Sequence, residues 1–300
     1  MDGIICIDKP QDMTSFSCCA VMRRLLGEKK VGHAGTLDPM ATGVLPLLTG
    51  KATRALELLP CHDKRYQATM RFGYVSDTQD VWGRVEPTGA FLPAQEAVEE
   101  ALSHFRGEIA QTPPMMSALK RDGVRLYELA RQGVEVEREA RAVTIYSLRL
   151  LAYDPQKGEL SLDCACSKGT YIRTLCADLG ERLGCGGVMT ALRRTEAAGY
   201  PLERCITLDE ARRLAEAGSL FDRVMPVESA FSDYPEIRVS PAQAVRFGNG
   251  GGLALERLNS RLSVWPDGRA EGTVRVKAPD GRFLGLGRPE GGELKILRLF

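Results

Sequence analysis

The stretch from Val31 to Pro46, VGHAGTLDPMATGVLP, holds a single carboxylate, Asp38, among small, apolar and hydroxylic neighbours. Gly32, Gly35 and Gly43 permit tight backbone turns, and Pro39 fixes the chain direction directly after the acid. A residue before proline is pushed toward extended backbone, which places Asp38 in a loop and not inside a helix. Asp-Pro pairs also begin ordinary turns, so spacing alone leaves a structural and a chemical reading open.

Working outward, Gly3 to Asp8 reads as a short strand broken at Lys9-Pro10, and Thr14 or Ser15 caps a helix ending at Gly27. Lys9 reads as structural in preference to a phosphate contact. On the other side, Lys51 to Leu59 reads as a helix. Tyr66, Ala68, Met70 and Phe72 then alternate with Gln67, Thr69 and Arg71, the period of a half-buried strand. Asp77 and Asp80 lie in a polar loop without further ligands at metal spacing, and loop capping is the favoured reading. Pro93 to Phe105 patterns as an amphipathic helix. Residues 110–135, with two prolines, Lys120, Arg121, Arg125 and Arg131, read as an exposed excursion. Two strands, Ala142 to Ala152 and Leu160 to Cys166, lead into a helix beginning near Thr170, marked by Tyr171, Leu175, Leu179 and Leu183. Thr207 and Glu210 form a capping-box pattern before a last helix running to Ala217.

Near residue 230 the texture changes. Residues 234–300 carry Pro-Asp-Gly turns at 266–268 and 279–281, alternating segments such as VRVKA and KILRL, and eleven Lys or Arg against seven Asp or Glu. This predicts two units, 1–230 and a small β-rich 231–300. Strands and helices interspersed without a regular βαβ repeat predict an α+β fold.

The chain has 300 residues, 44% of them apolar, with a net charge of +1, so a whole-molecule basic signature is absent and any nucleic-acid contact must be local. No apolar run reaches membrane-spanning length and the opening MDGIICIDKP lacks a signal-peptide pattern, which predicts a cytoplasmic protein away from membranes. Nine scattered cysteines without C-x-x-C spacing read as reduced thiols, and three histidines (33, 62 and 104) are too dispersed for a typical metal centre.

The central stretch resembles the catalytic-aspartate motif of the TruB family of tRNA pseudouridine synthases, G-H-x-G-x-L-D-P-x-A-x-G-x-L, through His33, Gly35, Leu37, Asp38, Pro39, Ala41, Gly43 and Leu45. Further resemblances follow in order. They are D-K-P-x-x-x-T-S at Asp8 to Ser15, K-R-Y at Tyr66, T-D-T-x-D with Ser76 replacing the first threonine, the 111–133 segment, C-S-K-G-T-Y-I-R-T-L at 166–175, and L-R-R-T at 192–195. The resemblance implies a pseudouridine-synthase fold, a mixed and largely antiparallel sheet flanked by helices with a central cleft, here with a PUA-like tail. It implies isomerisation of uridine 55 in the T-arm stem-loop of tRNA by base flipping. Asp38, Tyr66 and Arg173 are its implied catalytic residues, with Arg173 paired to Asp38. His33, Tyr171, Leu192, Lys120 and Lys168 are the implied substrate contacts, and the 110–135 excursion closes on RNA.

The isomerisation breaks a C–N glycosidic bond and makes a C–C one with no net oxidation, so neither a cofactor nor a metal is expected. A carboxylate at the sugar can attack C1′ or take the 2′ proton, and the sequence does not separate these routes. A serine hydrolase built on Ser15 or Ser17 fails because no G-x-S-x-G elbow exists. The rivals that remain are a non-catalytic RNA-binding or tRNA-folding protein and a guide-RNA-dependent relative of the same superfamily. The expected state is a monomer without an obligate protein partner.

Overall fold

The computed structural model describes residues 2–258 and 272–300. The elements run β1 (Gly3–Lys9), α1 (Ser15–Leu26), β2 (Val31–His33), β3 (Thr42–Thr49), β4 (Lys64–Phe72), a hairpin of β5 (Tyr74–Ser76) and β6 (Val85–Pro87), α2 (Gln95–Ser103) and β7 (Gly107–Gln111). A small hairpin, β8 (Lys120–Arg121) and β9 (Val124–Arg125), precedes α3 (Leu126–Arg131), β10 (Arg141–Asp154), β11 (Glu159–Cys166), α4 (Ile172–Arg182) and β12 (Gly187–Ala197). After β13 (Tyr200–Pro201), β14 (Ile206–Thr207), α5 (Leu208–Glu216) and β15 (Met225–Pro226) come β16 (Glu236–Arg238), α6 (Pro241–Gly248), β17 (Leu253–Ala254), β18 (Val274–Lys277), β19 (Phe283–Glu290) and β20 (Glu293–Leu299).

Strands from the first 226 residues build one large sheet in the order β14-β1-β3-β12-β4-β11-β10-β7, mostly antiparallel, with parallel joins at β1–β14 and β3–β12. A second sheet, β16-β18-β19-β20-β17, closes the C-terminal part. On the large sheet, α1 and α5 bury Cys18, Met22 and Ala211 against Ile5, Ile7, Leu45 and Leu47. Elsewhere α2 and α4 bury Val98, Leu102, Leu175 and Leu179 against Met70, Phe72, Ile145 and Leu162. This is the α+β architecture that the sequence predicts.

Several boundaries follow from local chemistry. Thr14 caps α1 by accepting from Ser17 N, and Gly27 ends the helix in the left-handed region at φ 61°. Thr207 caps α5 by accepting from Glu210 N. The helix expected over 51–59 is instead a 3-10 turn, Gly50–Ala55. Pro60 disfavours helical backbone at Leu59, and Thr53 Oγ1 donates to Gly50 O at 2.8 Å in competition with a helical ladder. Of the two Pro-Asp-Gly turns, that at 279–281 joins β18 to β19, with Gly281 at φ 86°. That at 266–268 lies outside the described residues.

The join between the sheets is packed. Phe231 shares a buried cluster with Ile4, Cys6, Val44 and Leu48 of the large sheet and with Leu286 of the small one. The ring of Phe300 lies 6.1 Å from that of Phe231. Glu228 accepts from Arg275 and Lys277 at 2.7 and 2.8 Å across the same join. Among the described residues no helix is long and apolar enough to cross a membrane.

Candidate active site

Asp38 occupies the loop between β2 and β3, and both shoulders of that loop are fastened. The buried Ser15 hydroxyl accepts from Leu37 N at 2.8 Å and donates to Leu37 O at 3.0 Å. Pro39 O accepts from Asp12 N at 2.9 Å and from Lys9 Nζ at 3.2 Å. Lys9 is fully buried and spends its other donors on Pro10 O and Met13 O, so its role here is structural. Arg194, also fully buried, donates Nε to Val44 O at 2.7 Å, Nη1 to Thr36 O at 3.3 Å and Nη2 to Gly35 O at 3.0 Å. Gly43 sits at φ 104°, and a Cβ there would lie 2.1 Å from Arg194 O, so only glycine lets β3 approach β12 this closely.

Arg173, near the start of α4, meets the loop from the other side. Its Nε lies 2.9 Å from Asp38 Oδ2 and 3.6 Å from Asp80 Oδ2. Its Nη1 donates to Thr78 O and its Nη2 to Met116 O, at 3.0 and 2.9 Å. Arg173 is 5% exposed at the side chain, whereas Asp38 is 38% exposed, so the acid faces a space that the arginine does not. Asp80 also accepts from Thr78 Oγ1 and Trp82 N, so loop capping describes only one of its oxygens. Asp77 accepts from Arg84 N and has the capping role alone among these contacts.

The N-terminus of α4 is itself anchored by Gln111. Its amide donates to Tyr171 O at 3.0 Å and accepts from Tyr171 N at 2.8 Å. Gln111 and Met116 belong to the root of the 110–135 excursion, so that root is bonded directly to the segment carrying Tyr171 and Arg173. Beyond it, the β8–β9 hairpin bearing Lys120 is exposed.

Opposite pairing of β4 with β12 puts Tyr66 across from Arg194 and Ala68 across from Leu192. Directly opposed residues share a face, so Tyr66, Leu192 and Arg194 point the same way. Tyr66 and Leu192 belong to one apolar cluster with Leu37, Met40 and Ala41 of the Asp38 loop. Burial pushes the Tyr66 phenol up to about 12, partly opposed by the Arg194 guanidinium.

His33, on β2, lines a cavity of about 150 Å³ with Ala34, Gly35, Leu56, Glu57, His62, Lys64 and Ala198. Among the described residues its Nδ1 has no hydrogen-bond partner, and burial, with Arg194 nearby, lowers its basicity. Lys168 is exposed between β11 and α4, and its charge adds to the burial that lowers the basicity of His62. The structure thus gathers Asp38, Arg173, Tyr66 and Leu192 around the loop, with His33 near its start, and sets Lys120 on an exposed hairpin strand and Lys168 on an exposed turn. Ser15, Asp80, Gln111 and Arg194 complete the site and were not among the residues that the sequence singles out for it. All four lie in motifs that carry the family resemblance, which gave none of them a role at the site.

Asp38 is thus an accessible carboxylate held by a buried arginine beside an aromatic-and-leucine wall. The chain belongs to the TruB family: the model for the TruB family pseudouridylate synthase N-terminal domain matches residues 23–172, and that for the tRNA pseudouridylate synthase B C-terminal domain matches residues 173–232. It is 44% identical to the tRNA pseudouridine synthase B of Azoarcus sp. (strain BH72) over 299 residues, covering 100% of this chain and 95% of that one. It is 43% identical to the protein of the same name from Pseudomonas fluorescens (strain Pf0-1) over 303 residues, covering 100% and 95%. The fold matches that in a crystal structure of a Cbf5-Nop10-Gar1 complex, with TM-score 0.72 and 24% identity, covering 99% of this chain and 84% of that one. The protein is therefore an isomerase of the pseudouridine synthase class.

Proposed function

We propose that this protein converts uridine 55 of the tRNA T-arm to pseudouridine, acting as a monomer in the cytoplasm on tRNA alone. The observation that supports this most is the pairing of half-exposed Asp38 with buried Arg173 beside the Tyr66–Leu192 wall. Arg173 spends each of its nitrogens on a fixed acceptor, which orients Asp38 toward the cleft. Uridine enters by flipping out of the stem-loop, an unstacking cost of a few kcal/mol. Packing on Tyr66 and Leu192 offsets part of that, at about 1–3 kcal/mol for a stacked base. Asp38 then acts at the sugar, by attack at C1′ or by removing the 2′ proton. The base turns within the apolar wall and rejoins through C5, and Tyr66 assists transfer of the C5 proton. Tyr171 lines the sugar side of the cleft, and His33 fills the space vacated in the RNA.

Lys120, Lys168 and the excursion meet phosphates around the cleft, a sequence-independent contribution to affinity. Residues 1–230 carry the chemistry, and 231–300, a PUA-like unit, extends the RNA contact. The test is chemical mapping of pseudouridine in an unmodified tRNA transcript after incubation with the purified protein and no guide RNA. Modification confined to U55 is the expected result. Binding without modification would favour the RNA-folding reading, and activity only with an added guide RNA would favour the guide-dependent one.

A further inference from the structure

The cations of the site are unevenly compensated. Arg173 is ion-paired with Asp38 and Asp80. Arg194, completely buried, has three backbone carbonyls as hydrogen-bond acceptors and no carboxylate in ion-pair contact among the described residues. Its charge is felt by its surroundings: burial lowers the basicity of His33, Lys64 and Lys9, Arg194 adds to that lowering, and it opposes the upward push of burial on Tyr66. Burying an uncompensated cation is costly, and neutral donors would satisfy some of the same carbonyls. Lys9 is likewise buried on three carbonyls, but Arg194 stands on the face of Tyr66 and Leu192, where a retained full charge points to an anion that forms during turnover.

We propose that Arg194 is a positioning residue with an added electrostatic role. It holds the Asp38 loop and stabilises the negative charge that the uracil ring carries while it is detached from the ribose. The inference rests on the pseudouridine synthase reading given above. If Asp38 attacks C1′, a carboxylate O–C1′ bond forms as the C1′–N1 bond breaks, and the electron pair leaves on N1. If Asp38 takes the 2′ proton, the C2′–H electrons become the C1′=C2′ bond and the N1 pair again leaves with the base. Either route produces a uracil anion; C5 then bonds to C1′ as the Asp38 ester bond breaks, or as Asp38 returns its proton to C2′, and the C5 proton is afterwards lost while N1 takes up a proton. Arg194 stands directly opposite Tyr66 in the β4–β12 register, on the face that carries Leu192. The charge therefore lies beside the wall where the anion must turn. Fixed charge at a water-poor site where charge develops is worth about 10²–10³-fold in rate per group.

The experiment compares T-arm stem-loops carrying uridine or 5-fluorouridine at the target, because fluorine makes the departing base a more stable anion. Single-turnover loss of the N-glycoside is followed for wild type, Arg194→Met and Arg194→Lys, alongside thermal melting and stem-loop affinity. Arg194→Met should slow uridine by about 10²–10³-fold. It should slow 5-fluorouridine at least about tenfold less, since the better leaving group depends less on outside stabilisation. Arg194→Lys keeps the charge but cannot reach three carbonyls with a planar fork. Its absolute rates should fall, while its ratio of the two substrates stays near wild type. Equal slowing of both substrates by Arg194→Met would overturn the electrostatic role and leave only loop support. If Arg194→Met does not fold, a shifted substrate ratio in Arg194→Lys would overturn it instead. Failure of the parent reading looks different, because wild type would then leave uridine unmodified.

Discussion

The Asp38 loop and the 110–135 excursion flank the same cleft and are built in opposite ways. The loop is tied by a serine hydroxyl, a buried ammonium, a buried guanidinium and an arginine ion pair. The excursion is bonded to the site at its root, through Gln111 and Met116, and beyond it presents the exposed Lys120, Arg121, Val124 and Arg125. In the first, polar groups are buried against the protein's own backbone; in the second, the Arg121 and Arg125 side chains bond to the exposed Glu137 O and to Tyr127, and stay at the surface. Holding a reacting group still and meeting a charged partner are thus assigned to different segments, and substitutions should keep them separate.

The largest expected effect comes from the loop itself. Asp38→Asn keeps shape and removes the charge, and should lower the single-turnover rate by at least about 10³-fold, as loss of an essential group does. tRNA affinity should stay within a few-fold of wild type, and appreciable turnover would break the assignment. A smaller loss is expected at Ser15→Ala, which strips both bonds from Leu37. Unfolding in urea should show a cost of about 1–3 kcal/mol from the two unmet backbone groups. The rate at saturating RNA should fall about tenfold, on the scale of a tenfold loss for each 1.4 kcal/mol of misplacement, with affinity unchanged. An affinity loss without a rate loss would show that the loop belongs to binding.

On the excursion the pattern should reverse. Replacing Lys120, Arg121 and Arg125 together with alanine should leave the saturated rate near wild type and weaken binding. The slope of log affinity against log salt should shrink by about 0.7–0.9 for each phosphate that is no longer neutralised. An unchanged slope would mean that these side chains do not meet RNA.

The smallest effect concerns Lys9. Burial lowers its ammonium from 10.5 to about 8. Between those values the unfolded chain binds more protons than the folded one, so this group makes stability rise with pH across that window. Below about pH 8 both states hold the proton and the contribution stays constant. Lys9→Met should remove this part of the rise, measured as unfolding free energy at several pH values from 7 to 10. An identical pH slope in the two proteins would show that Lys9 is not the group responsible.

What could be read in advance follows from how local the information is. The α1 boundaries were legible because Thr14 and Gly27 act within a few residues, and β4 because Tyr66 to Phe72 alternate in burial. The strand TGVLPLLT was not legible as a strand: it is buried almost throughout, so it lacks alternation, and it contains a proline. Asp38, Tyr66, Arg173 and Leu192 were named by resemblance, since nothing in their spacing brings them together. Ser15 read as one of two possible caps. Thr14 takes that role, which frees the Ser15 hydroxyl to hold a residue 22 positions away. Arg194 reaches the loop across more than 150 positions, a contact that no local pattern encodes.

The packed join between the sheets has a consequence for how the chain assembles. Ile4 and Val44 share their cluster with Phe231 and Leu286, and Phe300 stacks at 5.6 Å on Phe283. Contacts so far apart in sequence close large loops and slow folding. By Phe231 a growing chain already contains the Asp38 loop and all its fasteners, yet its Ile4–Val44 face still lacks the part of its cover that Leu286, Phe283 and Phe300 supply. Exposed apolar sheet surface at that stage is prone to association. The most delicate moment in making this enzyme thus comes after its chemistry is encoded, while β19 and β20 are still being added.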